Sequence, residues 1–352
     1  MGKSPYSDLH KGAFWKTGVA QENPYAIEGI YKKKFSISPE TKIATAGSCF
    51  AQHISRHLKK NGYNVLDFEA PPPGLSANLH QKFGFSMYSA RYGNIYTVRQ
   101  LLQLAQEVAG KSKPQNFIWE KEGKYYDALR PAVEPEGLES AEEVINHRKF
   151  HISRVKELFK SFDLFIFTLG LTEMWVHKES GTVFPTAPGT IAGEFDDNHY
   201  EFKNAGFGEI IYDFNEFQNL LRTIRREKPF RVLLTVSPVP LTATASGKHV
   251  LISNMYSKSV LRAVAGHLHE KRENIDYFPS YEIVTNPRMH STAFSDNLRS
   301  VRDEAIQNVM RHFFSEHPVI KREEQKPLKN KLQDEIKSSI QCEESLIEAF
   351  GK

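Results

Sequence analysis

Cysteine is almost absent from this chain: among 352 residues there are only Cys49 and Cys342. That excludes a disulfide framework and a cysteine-rich zinc site, and both residues are expected as free thiols. Long hydrophobic runs are missing as well. No stretch approaches the roughly 18 apolar residues of a membrane span, and the polar segment Met1–Lys16 lacks the apolar run of a signal peptide. The expectation is a soluble, cytoplasmic protein with no membrane partner. Charge of one sign is also lacking, since the formal net charge is +4. Nothing there calls for nucleic acid as a partner. There is no internal repeat and no clustered His/Asp/Glu spacing of a metal site, so no metal or other cofactor is expected.

What is present is the composition of an ordinary soluble globular protein, 40% hydrophobic and 25% charged. Residues 1–39, rich in Tyr, Lys and Pro without periodicity, read as a wrapping arm. Residues 40–318 read as a single α/β domain, and residues 319–352, dominated by Lys, Glu and Gln, as a charged helical or disordered tail. Within the domain, apolar strand-like runs fall near 43–46, 63–68, 163–169, 231–236 and 276–279, with helical spacing between most of them. That order predicts a three-layer α/β/α sandwich around about five parallel strands. Hairpin insertions are expected at 117–129 and around Ser180-Gly181. In such sheets ligands bind at the carboxyl ends of the strands, so the segments just after each strand carry the interest.

Four of those segments are polar. In Gly47-Ser48-Cys49, glycine permits a sharp turn, and the helix behind it points its positive end at Ser48. Ser48 is either a nucleophile, with its own N–H stabilising an oxyanion, or simply the N-cap of that helix. Gly93-Asn94 offers close backbone approach and an amide donor, or an ordinary turn. After the most strand-like run, Thr172 offers a hydroxyl donor, with Glu173 and Trp175 as further candidate contacts. Asp296, just ahead of the last helix, can orient an imidazole or complement the helix dipole.

Taken together, these blocks match the spacing of the SGNH hydrolases. The opening Thr45-Ala46-Gly47-Ser48-Cys49-Phe50-Ala51-Gln52 resembles the GSCFA family of that superfamily. So do Tyr92–Thr97, Leu169–Trp175, Leu234–Pro240, Ser257–Arg262 and Phe278–Glu282. The resemblance implies Ser48 as nucleophile, with its N–H, Gly93 or Asn94, and Thr172 as oxyanion donors, Thr172 standing where an Asn is usual. It implies esterase or O-acyltransferase chemistry on a carbohydrate or other small ester, or a binding protein that keeps the fold. One departure is large. The usual Asp-x-x-His pair begins at Asp296 but ends at Arg299, which stays protonated and cannot act as a base. Among the histidines, His249, in the long loop after the 231–236 strand, is ranked first as the replacement base, His290 second and His53 third. Asp296 would then orient His249, while Arg299, Asn254 and Lys258 would be free to bind an anionic part of the substrate.

Overall fold

The computed structural model describes residues 4–319 and 343–351. Cys342 and most of the charged tail lie outside them. The main strands are β1 (Ile43–Gly47), β4 (Leu164–Leu169), β8 (Arg231–Val236) and β9 (Ile275–Tyr277). They form one parallel sheet in the order β1-β4-β8-β9. The other strands are short: β2 (Ile118–Lys121) and β3 (Lys124–Asp127) form a hairpin, while β5 (Glu173–His177), β6 (Val183–Phe184) and β7 (Tyr200–Asn204) form a small antiparallel sheet. The helices are α1 (Phe50–Lys60), α2 (Ala77–Lys82), α3 (Val98–Val108), α4 (Ala141–Ser161), α5 (Phe207–Ile224), α6 (Val250–Lys271), α7 (Ser280–Thr285), α8 (His290–Ala293) and α9 (Asp303–Glu316).

The parallel strands are buried on both faces, which is why their sequences are continuous apolar runs rather than alternating ones. On one face Phe165, Phe167, Val232 and Leu234 pack against α3, α4, α5 and α6. On the other, Ile43, Ile166 and Leu233 pack against α1, α7 and α9. The α/β sandwich is as expected, with four sheet strands in place of five. The segment expected as a strand at 63–68 pairs with β1 only through a parallel bridge between Val65 and Ile43. Beyond it, Ser89 takes the edge of β1: its Oγ accepts the Thr45 N–H at 2.9 Å, and its N–H donates to the Thr45 carbonyl. The arm reaches the opposite edge of the sheet, where Tyr31 donates to Asp276 at 2.9 Å and the Lys34 N–H does the same.

Helix starts follow cap chemistry more than apolar spacing. Thr97 accepts the Gln100 N–H at 3.2 Å and opens α3 with a capping box. Along the sequence these two helices read as starting only at Phe214 and Ser257, whereas α5 and α6 each begin seven residues earlier. The extension of α6 takes His249 out of the loop in which it was expected. No helix among the described residues is long and apolar enough to cross a membrane.

Candidate active site

β1 ends at Gly47, whose φ of +138° is a glycine conformation. A Cβ there would lie 2.5 Å from the Thr168 carbonyl oxygen, so only glycine lets β1 run this close to β4. The chain then turns into α1 through Ser48. Ser48 is 2% exposed, and its Oγ has no hydrogen-bond partner. It is not the cap of α1: the N-cap position belongs to Cys49, a buried thiol. The expected role of the Ser48 N–H in an oxyanion hole is corrected, because that N–H donates to the Thr168 carbonyl at 3.1 Å and extends the β1–β4 ladder.

The second and third segments gather around this turn. Gly93, at φ +67°, reverses the chain so that the Ile95 N–H reaches the Gly47 carbonyl at 2.9 Å. Asn94 is buried, and its Oδ1 accepts from Tyr88 and, at 3.2 Å, from Gln52. The Tyr88 hydroxyl also lies 3.0 Å from the Ser48 carbonyl, an alternative acceptor for its one proton. Through Tyr88, Asn94 is tied to the serine turn. Tyr88 and Gln52 were not singled out in the sequence, although Gln52 stands one helical turn after Ser48.

Gly170 closes the other side. A Cβ on it would sit 2.8 Å from Ser48 Cβ and 3.1 Å from the Tyr96 carbonyl oxygen. Gly170 and Leu171 both donate their N–H groups to that carbonyl. Two residues on, Thr172 is fully buried with its Oγ1 unpartnered. Leu171, Tyr96 and Leu241 cluster together with Val250 packed against them, bringing the loop before α6 onto the same edge.

The remaining candidates do not assemble as expected. His249 is exposed at the head of α6, where its ring Nδ1 accepts the Leu251 N–H at 3.2 Å. It makes no hydrogen bond to Ser48, because it caps a helix that begins earlier than its loop suggested. Asp296 is fully exposed and faces Arg302 at 3.4 Å, so it does not orient an imidazole. Arg299 is not free for substrate: Nε and Nη2 donate to the Pro240 carbonyl at 3.3 Å each, and Nη1 meets Glu348 at 2.9 Å. His53 is buried on α1, and burial, with Arg56 and His57 nearby, lowers it to about 3. The side chain of His290, which opens α8, lies outside the described atoms.

Glu173 accepts from Thr244 at 2.8 Å, and burial raises its carboxyl despite that bond. Trp175 packs edge-on to Phe202, its partner on β7, and to Phe195 in the preceding loop. Asn254 accepts the Leu241 N–H at 3.1 Å and so ties the loop to α6. Lys258 is buried on the Gly170 carbonyl.

The chain is an α/β protein built on a parallel sheet, with a buried serine at the carboxyl end of its first strand walled by a glycine from the neighbouring strand's turn. The chain belongs to the GSCFA family, whose model matches residues 42–313. No curated protein matches it significantly. Among solved structures it is similar to a carbohydrate esterase family 3 protein from Talaromyces cellulolyticus, at 14% identity and a TM-score of 0.25 over 62% of this chain and 87% of that one. A likeness of that size has no bearing on function.

Proposed function

We propose that Ser48 is the nucleophile of acyl-ester chemistry. Its Oγ bonds to an ester or thioester carbonyl carbon, the acyl–oxygen or acyl–sulfur bond breaks, and the proton lost by the Ser48 hydroxyl leaves with the departing alcohol or thiol. The acyl group then passes to water or to a hydroxyl acceptor such as a sugar. The observation that carries this reading is the Ser48 hydroxyl itself: buried, unpartnered and not a helix cap. Thr172 Oγ1, equally buried and unpartnered, is the proposed oxyanion donor. The Ser48 N–H, His249 and Asp296 have no part in the proposal, given where they lie.

A second reading, a binding protein on the same fold, is favoured by one observation. The imidazole position of the SGNH pattern holds Arg299, fixed on Pro240. The two readings separate with a fluorophosphonate probe and a short-chain nitrophenyl ester. The nucleophile reading expects labelling at Ser48 and ester turnover. Ser48→Ala should lose both while its melting temperature stays close to the parent's. A folded parent that is neither labelled nor active would leave the binding reading standing.

A further inference from the structure

The Ser48 corner is held from the side by two consecutive residues of α6. Lys258 is 1% exposed, and its Nζ donates to the Gly170 carbonyl at 2.8 Å. Ser257, also buried, accepts the Thr172 N–H on Oγ at 3.1 Å. The peptide groups flanking Leu171 are thus gripped by α6, while the N–H groups of Gly170 and Leu171 are gripped by Tyr96. This is the turn that presses Gly170 on Ser48 and carries the unpartnered Thr172 hydroxyl. Taking a lysine amine out of water is an expensive way to hold a backbone turn. The nearest exposed residue on the same helix, Ser259, shows that the surface lies one position away.

We propose that Lys258, assisted by Ser257, is a positioning residue that sets the reactivity of Ser48. The inference rests on the nucleophile reading above. Lys258 and Ser257 fix the Gly170–Thr172 turn so that Ser48 Oγ and Thr172 Oγ1 address one reacting carbonyl. Geometry of this kind must hold to well within ~1 Å, since larger displacements cost about 100-fold in rate. Lys258 accordingly acts through the turn and not on the substrate.

The test is the second-order rate of fluorophosphonate labelling at Ser48, corrected for the folded fraction by circular dichroism. Lys258→Met, which keeps the stem and removes the amine, is expected to label at least about tenfold more slowly per folded molecule. Ser257→Ala, a one-atom truncation, should also label several-fold more slowly, and Ser259→Ala should match the parent. A merely structural lysine would lower the melting temperature and leave the corrected rate unchanged, and that result overturns the inference. If Lys258→Met does not fold, Ser257→Ala decides, and an unchanged rate there is equally fatal. An unlabelled but folded parent protein would instead remove the nucleophile reading, and this inference with it.

Discussion

Gly170→Ala places one methyl group where the Ser48 side chain already is. The added Cβ would lie 2.8 Å from Ser48 Cβ and 3.1 Å from the Tyr96 carbonyl oxygen. Ordinary carbon contacts need about 3.5–4.0 Å, so a shift of roughly 1 Å is required. Neither neighbour yields easily. The Ser48 backbone is tied to Thr168, and the Tyr96 carbonyl accepts both the Gly170 and the Leu171 N–H. Overpacking of this size typically destabilises by about 1–3 kcal/mol. In a chain this long that corresponds to a melting-temperature loss of about 2–5 °C. The effect on reactivity should be larger than the effect on folding, because the same displacement misaligns Ser48 and Thr172 by an amount worth about 100-fold. Differential scanning fluorimetry gives the first quantity, and the fluorophosphonate labelling rate of the folded variant gives the second. A Gly170→Ala protein with the parent's melting temperature and labelling rate would refute the claim that Gly170 is the wall of the site.

Gly47→Ala should be worse, because the new Cβ meets backbone atoms of Thr168 at 2.5–2.9 Å in a φ region that disfavours side chains. Loss of soluble expression is expected, and a folded variant would contradict the close β1–β4 approach. The protein should also be acid-labile. Burial is the leading cause that lowers His53 to about 3 and His151, His312 and His317 to about 4. These folded values lie below the ordinary 6.5, so the unfolded chain binds more protons and stability falls as pH drops through the window from about 6.5 to 4. Each of these imidazoles contributes to the loss in the same direction, so stability should fall progressively across that window. Glu69 adds the same sign at lower pH. Burial would raise it, but His151, Arg130 and the Arg91 N–H hold it down at about 2. Fluorescence-monitored stability that is flat between pH 6.5 and 5 would show that these histidines titrate normally.

Much of the scaffold was legible because it is locally encoded. Ile43–Gly47 and Leu164–Leu169 are strands covered on both faces, and such strands announce themselves as unbroken apolar runs. Gly123, at φ +73°, turns the β2–β3 hairpin where glycine marked it. The early starts of α5 and α6 were hidden for a physical reason. Leu251, Ile252, Met255 and Tyr256 are apolar yet exposed, so the first turns of α6 carry no inward-facing period to read. His249 was misplaced as a consequence.

By itself the sequence determined the β1-turn-α1 unit, because strand, glycine, serine and helix are neighbours along the chain and interact over a few residues. It marked the Gly93-Asn94 and Gly170–Thr172 segments by the same local chemistry. Only the tertiary structure decided what those segments do to one another. Gly170 lies against Ser48 because β4 takes the place beside β1 in the sheet. Lys258 and Ser257 reach the same turn because α6 packs over the sheet on that side. Partners 85 or more residues apart are chosen by strand order and helix packing, which no spacing along the chain records, whereas Asp296 is left in solvent beside its near neighbour Arg302.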